Sequence, residues 1–248
     1  MTFKDYFSGH AADYAQYRLR YPASLFTWLV QQCTERDRVW DCATGNGQGA
    51  IALAEHFVQV IATDGSAAQL RQAPLHPKIT YRVAVAEASA LEADSCDLVT
   101  VAQAVHWFQL EVFYAEVQRV LKPNGLLAIW CYGCPQMTAP DLEGLLQTYY
   151  DETLDDFWTP ERRLVETGYA TLNFPFEELV APAYTLQMTW TLPDLLGYLF
   201  TWSATQRFIA THGFNPLEEL AAKMGPLWRS DYLQITWPLT MRVGRSGS

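Results

Sequence analysis

Basic residues are in short supply in this chain. Seventeen Lys and Arg stand against 27 Asp and Glu, a formal net charge of −10 over 248 residues. That balance disfavours a phosphate backbone as the main partner, and no nucleic acid is expected. Long apolar runs are missing as well. No stretch reaches the roughly 18 residues a membrane span needs, so no membrane partner is expected. The opening residues, Met1-Thr2-Phe3-Lys4-Asp5-Tyr6, lack the charged-then-apolar pattern of a secretion signal. Cysteine is scarce and odd in number, at five, which reads as reduced thiols in a cytoplasmic protein. Cys131 and Cys134 form a C-x-x-C with no second cysteine pair to complete a zinc site, so no metal is expected. Repeats and low-complexity segments are also absent.

What is present is apolar and aromatic. Half the residues are hydrophobic, and there are nine Trp, 13 Tyr and 12 Phe. Five of the nine Trp follow residue 150, which points to an aromatic-walled pocket or cover built by the later part of the chain. Apolar runs and turn signals predict strands at 38–42, 58–63, 79–85, 96–102 and 126–130, alternating with helical patterns. The helix after the second strand is expected to run from a Ser66 cap to about Ala73, ended by Pro74 and Pro77. Lys122 to Gly125 reads as a turn. Five strands alternating with helices predict a mostly parallel, doubly wound α/β sheet. Two late strands, 177–190 and 231–243, would add an antiparallel edge hairpin. Helices at about 193–211 and 216–227 come between them, and residues 244–248 form a disordered tail. The chain then divides into an N-terminal arm and helix (1–30), a cofactor-binding core (31–135), a substrate-covering insert (138–227) and a final strand (228–243), all in one domain.

The richest stretch for chemistry is Asp41-Cys42-Ala43-Thr44-Gly45-Asn46-Gly47-Gln48-Gly49-Ala50. A short strand ends in an acid, a glycine-rich turn follows, and an apolar helix begins. Glycines let the backbone turn tightly and approach a ligand, and the helix N-terminus offers unpaired N–H groups. Gly45-x-Gly47-x-x-Ala50 fits dinucleotide spacing, and Asp64 follows at about the distance of a ribose-binding acid. NAD(P) and S-adenosylmethionine both suit this pattern. Asp41 at the mouth would repel a pyrophosphate, the run Gln103-Ala104-Val105-His106-Trp107-Phe108 carries no evident nicotinamide chemistry, and the late antiparallel pair is foreign to a dinucleotide-binding sheet. These three features favour S-adenosylmethionine. Asp64 can alternatively cap the helix after its strand, and Asp41 and Glu87 can be solvated carboxylates.

On these residues the chain resembles the class I S-adenosylmethionine-dependent methyltransferases, and within them the trans-aconitate methyltransferase-like group. Asp41 to Gly47 is similar to their first motif, Asp64 to their ribose acid, Ala86-Glu87-Ala88 to the loop beside adenine, and Ala104 to Phe108 to the run after strand four. Tyr14 to Pro22 resembles an N-terminal segment of that group, with Leu19 where a proline usually stands. Thr201-Trp202-Ser203-Ala204 resembles part of its C-terminal insert. The resemblance implies a Rossmann-like, seven-stranded methyltransferase sheet and a methyl transfer to a small-molecule acceptor by direct displacement. It implies S-adenosyl-L-methionine seated by Asp41, Ala43, Gly45, Gly47, Asp64, Gly65, Ser66, Ala86, Glu87, Ala88 and Gln103. Tyr17, Arg18, Tyr21, His106, Trp107 and Trp202 would face the acceptor, with Arg18 gripping a carboxylate of cofactor or acceptor. His106 is the candidate catalytic residue, as a base, a hydrogen-bonding group or a support for Trp107. A monomer or weak homodimer is expected. An oxidoreductase using NAD(P), or a non-catalytic binding protein of the same fold, stays open at this point.

Overall fold

The computed structural model describes residues 19–247. Helix α1 (Ala23–Gln32) precedes strand β1 (Arg38–Cys42), and the glycine-rich loop then leads into α2 (Gln48–Ala54). Strand β2 (Gln59–Asp64), helix α3 (Ala67–Leu70), β3 (Ile79–Val83), β4 (Cys96–Ala102), α4 (Leu110–Val120) and β5 (Leu121–Tyr132) complete the alternating part. Then come β6 (Gln136–Met137), α5 (Pro140–Thr148), α6 (Arg162–Glu166), β7 (Glu177–Leu179) and β8 (Tyr184–Trp190). Helices α7 (Leu192–Phe200), α8 (Ser203–His212) and α9 (Leu217–Met224) lead to the last strand, β9 (Leu233–Arg245).

The strands run β3-β2-β1-β4-β5-β9 across one sheet. The first five pair in parallel, and β9 lies antiparallel against β5. The far edge of β9 pairs with β7 and β8, while β6 continues the line of β5. Strands β1 and β4 are buried on both faces, as interior parallel strands must be. The alternation along β5 sorts two cores. Leu126, Ala128 and Trp130 pack with Leu25, Phe26 and Leu29 of α1 and with Ala50 and Leu53 of α2. Leu127, Ile129 and Cys131 join Phe113 and Val117 of α4 and Val165 of α6 on the opposite side. Each sheet face thus buries one apolar layer, which is the main stabilising term for the fold.

Several boundaries differ from the sequence expectation. The long helix expected over 193–211 is two helices. Trp202 is extended at the break (φ −67°, ψ 134°), and its indole lies 5.5 Å from Trp158 and 5.8 Å from Tyr198 between ring centroids. The strand expected over 177–190 divides into β7 and β8 around Pro182, which has no N–H for the ladder. Helix α3 is a single turn. Lys122 to Gly125 lies within β5, at a register shift against β4, with Asn124 at φ 62°. The expected disordered tail is partly strand: Gly244 and Arg245 pair with both β5 and β7, and the Ser246 amide donates to Gly125.

Candidate active site

Parallel strands with right-handed crossovers bring the loops after β1, β2, β3 and β4 to one rim of the sheet. The loop after β1 is held in an uncommon shape. Ala43, Gly45 and Gly47 all take left-handed backbone angles, at φ 53°, 59° and 82°. Asp41, only 2% exposed, fastens this loop from beneath. Its carboxylate accepts from Thr44 Oγ1 at 2.5 Å and Thr100 Oγ1 at 2.7 Å. Asp64, at the end of β2, bridges two loops. One oxygen accepts from the Gly45 amide and the other from the Ser66 amide, each at 2.8 Å. Ser66 in turn accepts from the Gln69 amide and caps α3. Asp64 therefore sits beside Gly45, Gly65 and Ser66.

Side chains already fill the space beside two of the glycines. A Cβ on Gly47 would lie 2.5 Å from Tyr81 Oη, and one on Gly49 would lie 3.1 Å from the Asp41 carboxylate. Gly47→Ala should therefore cost about 1–2 kcal/mol through its left-handed backbone alone, with the Tyr81 clash added. Thermal denaturation with and without S-adenosylhomocysteine should show both a lower melting point and a smaller ligand-induced rise. Beyond β3, Ala86 is buried and Glu87 accepts from the Gln109 amide at 2.8 Å, tying the 86–88 loop to the start of α4.

A pocket opens where this rim meets α6, α7 and α8. Its walls include Gln103, His106, Trp107, Tyr132, Trp158, Arg162, Tyr198 and Trp202. Gln103 is left-handed (φ 56°) and anchored by its side-chain amide to the Tyr132 carbonyl at 2.9 Å. Its side-chain oxygen is buried with no hydrogen-bond partner among the described residues. Arg162 sits with its guanidinium 4.8 Å above the Trp158 ring and donates from Nε to Tyr150 Oη at 2.7 Å. Tyr150 Oη in turn donates a hydrogen bond to the Glu166 carboxylate at 2.8 Å. Among the described residues no carboxylate pairs directly with Arg162.

His106 follows β4 on a short turn, and its Nδ1 lies 2.9 Å from the Tyr169 hydroxyl. Burial, and then the Arg162 charge, push the His106 pKa down to about 3. The imidazole is thus neutral at any working pH and a weak base. The sign for stability is definite. An unfolded chain protonates this histidine near pH 6.5, whereas the folded chain does so only near 3. Between these values the unfolded state holds one more proton, so stability falls as pH drops, by up to about 1.4 kcal/mol per unit. Denaturant titrations at pH 7 and 4.5 should show His106→Gln losing less stability on acidification than the parent.

The structure gathers Ala43, Gly45, Gly47, Asp64, Gly65 and Ser66 at one end of the rim and Gln103, His106, Trp107 and Trp202 around the pocket. Tyr21 packs against Trp130 and Tyr132 at centroid distances of 5.4 and 6.5 Å. Tyr17 and Arg18 lie outside the described residues. The sequence reading missed Tyr81, Arg162, Tyr169 and Tyr198, which no motif or spacing marks. Cys131 and Cys134 are free thiols that burial pushes up to about 12, and hence are unreactive. A cluster of Glu35, Asp37 and Asp97 at the opposite edge of the sheet is drawn around Lys122 Nζ, at 2.8, 3.1 and 2.7 Å.

An all-parallel dinucleotide fold has no antiparallel strand beside β5. The strand order here, with the glycine loop and Asp64 at the rim, defines an α/β protein of the methyltransferase type. The family of the methyltransferase domain matches residues 40–129. A protein of Dictyostelium discoideum named as a methyltransferase is 34% identical over 251 residues, spanning 98% of this chain and 95% of that one. A solved structure described as a type II methyltransferase from Anaeromyxobacter dehalogenans is 41% identical, with a TM-score of 0.86, and covers 93% of this chain and 98% of that one. A Saccharomyces cerevisiae protein named as an S-adenosylmethionine-dependent methyltransferase is 30% identical over 56% of this chain and 50% of its own length. The chain belongs to the class I S-adenosylmethionine-dependent methyltransferases.

Proposed function

We propose that the protein transfers a methyl group from S-adenosylmethionine to a carboxylate oxygen of a small-molecule anion held in the Arg162 pocket. The cradle after β1 suits the cofactor because the left-handed angles of Ala43, Gly45 and Gly47 curl its backbone at the rim. Gly45 and Gly47 would face its amino-acid part and Asp64 the ribose hydroxyls, with Ala86, Glu87 and Ala88 beside the adenine. Asp41 would support the loop from below through Thr44 and Thr100. When bound, S-adenosylmethionine supplies an electrophilic methyl group on a sulfonium, so that a carboxylate gives a neutral ester and S-adenosylhomocysteine with no proton changing hands.

The observation that carries this reading is Arg162. Its guanidinium is stacked on Trp158 within an aromatic pocket, and no carboxylate of the described residues pairs with it directly. A guanidinium fork suits an incoming carboxylate, and Trp107, Trp202 and Tyr198 would wall its apolar body. A carboxylate acceptor also needs no base, in keeping with a His106 that is neutral and weakly basic. Orientation by the pocket would then provide much of the acceleration.

The test is calorimetry with S-adenosylhomocysteine and with NADH, followed by methyl transfer to paired carboxylates and their neutral amides. Binding of S-adenosylhomocysteine and methylation of carboxylates only is expected. Binding of NADH alone, or equal methylation of amides, would overturn the reading.

A further inference from the structure

Tyr169 is far from the glycine loop in sequence, yet it is fully buried and its backbone is fixed from several sides. It closes helix α6 in a left-handed conformation (φ 63°), directly after Gly168 (φ 60°). Its amide donates to the Leu164 carbonyl at 2.8 Å, and the Gly168 amide to Val165 at 2.9 Å, which is the double closure of a Schellman-type helix end. A Cβ on Gly168 would lie 2.8 Å from Thr240 Oγ1, so the turn is pressed against β9. From β9, Arg242 Nη1 donates to the Tyr169 carbonyl at 3.0 Å and to that of Leu172 at 2.7 Å. Arg242 is itself held by Glu178 and lies 4.7 Å over the Phe174 ring. A left-handed non-glycine residue held this firmly is strain stored at a defined place.

What the turn presents is the Tyr169 hydroxyl, 2.9 Å from His106 Nδ1. Tyr169 is 0% exposed, and among the described residues its hydroxyl has this one hydrogen-bond partner. A buried O–H needs an acceptor, and the phenol's proton has His106 Nδ1 to go to. A neutral imidazole that accepts at Nδ1 must carry its proton on Nε2.

We propose that Tyr169 is a positioning residue that locks His106 in the Nε2–H tautomer, so that His106 acts on the acceptor as a fixed hydrogen-bond donor. This rests on the reading that the Arg162 pocket holds a carboxylate acceptor. Arg162 and His106 then form a two-part clamp: the guanidinium supplies charge, and the imidazole supplies a directed N–H. An Nε2 that already bears a proton does not deprotonate an acceptor.

The tautomer is read directly from the nitrogen resonances of the ¹⁵N-histidine-labelled full-length protein, with His106 assigned by comparison with His106→Gln. A pyridine-type Nδ1 and a protonated Nε2 are expected, shifting to a mixture in Tyr169→Phe. The initial rate of label transfer from methyl-labelled S-adenosylmethionine into a small-molecule extract should fall about 10-fold in Tyr169→Phe, while S-adenosylhomocysteine affinity changes less than 2-fold. His106→Gln restores an amide donor near the Nε2 position and should lose no more than about 5-fold. His106→Leu should lose about 50-fold. A proton on Nδ1 in the parent, an unchanged tautomer in Tyr169→Phe, or equal losses in His106→Gln and His106→Leu would each overturn the proposal. Absence of any labelled small molecule from the parent would instead overturn the acceptor reading, and the tautomer measurement would still decide the role of Tyr169.

Discussion

Arg162→Met is expected to lower methyl transfer to a carboxylate acceptor by about 100-fold or more, with S-adenosylhomocysteine binding nearly unchanged. Methionine keeps the length and much of the packing on Trp158 but removes the guanidinium. A hydrogen bond to a charged group contributes about 1.5–3 kcal/mol, and a bidentate pair has two. Arg162→Lys should recover only part of the loss. An ammonium is a point charge without the planar fork, and it stacks less well on an indole. Initial rates at varied acceptor concentration would place the loss in the acceptor term. If Arg162→Met lost cofactor affinity instead, the guanidinium would belong to the cofactor side of the crevice. The support of Arg162 predicts a smaller, related effect: Tyr150 holds Nε at 2.7 Å and Trp158 holds the guanidinium face, so Tyr150→Phe should loosen the clamp without removing it.

Asp64→Ala should weaken S-adenosylhomocysteine binding by about 10- to 100-fold, or about 1.5–3 kcal/mol. Two losses combine in this variant. The acid that would meet the ribose hydroxyls is gone, and the amides of Gly45 and Ser66 lose the carboxylate that fixes them, each at 2.8 Å. The second loss predicts that Asp64→Asn is also impaired, because its amide offers one acceptor oxygen in place of two. Calorimetry separates the cases. An affinity within 2-fold of the parent in Asp64→Ala would remove Asp64 from the cofactor site and leave it as a tie between loops.

The shape of the loop proposed for the cofactor was legible in the sequence because its determinants are local. A strand end, an acid and glycines at fixed spacing define a loop whatever packs around it, and Asp64 lies at the end of the next strand. For the acceptor, the sequence offered Arg18 among tyrosines, which lies outside the described residues. Within the described residues Arg162 is stacked on Trp158. No spacing rule announces Arg162, since its role depends on α6 folding back to the end of β4. Tyr169 was invisible for the same reason, because its partner His106 lies 63 positions away in the chain. The break at Trp202 also follows from packing, as four aromatic rings surround a residue whose neighbours have helical periodicity.

The late strands show how local and distant effects divide. Alternation in 231–243 marked a strand, but its length and place depend on pairing with β5 on one side and β7 and β8 on the other. Those contacts extend β9 through Arg245 and bring Arg242 under the Tyr169 turn. The strand that separates this sheet from a dinucleotide-binding one thus also supports the residue that orients His106.

The most direct test of the central claim is transfer from methyl-labelled S-adenosylmethionine into a small-molecule metabolite extract, with labelled products identified by mass spectrometry before and after mild alkali. The account predicts a labelled product that alkali hydrolyses to a carboxylic acid, formed by the parent protein and absent with Arg162→Met. Label found only in alkali-stable products, or formed equally by Arg162→Met, would contradict it.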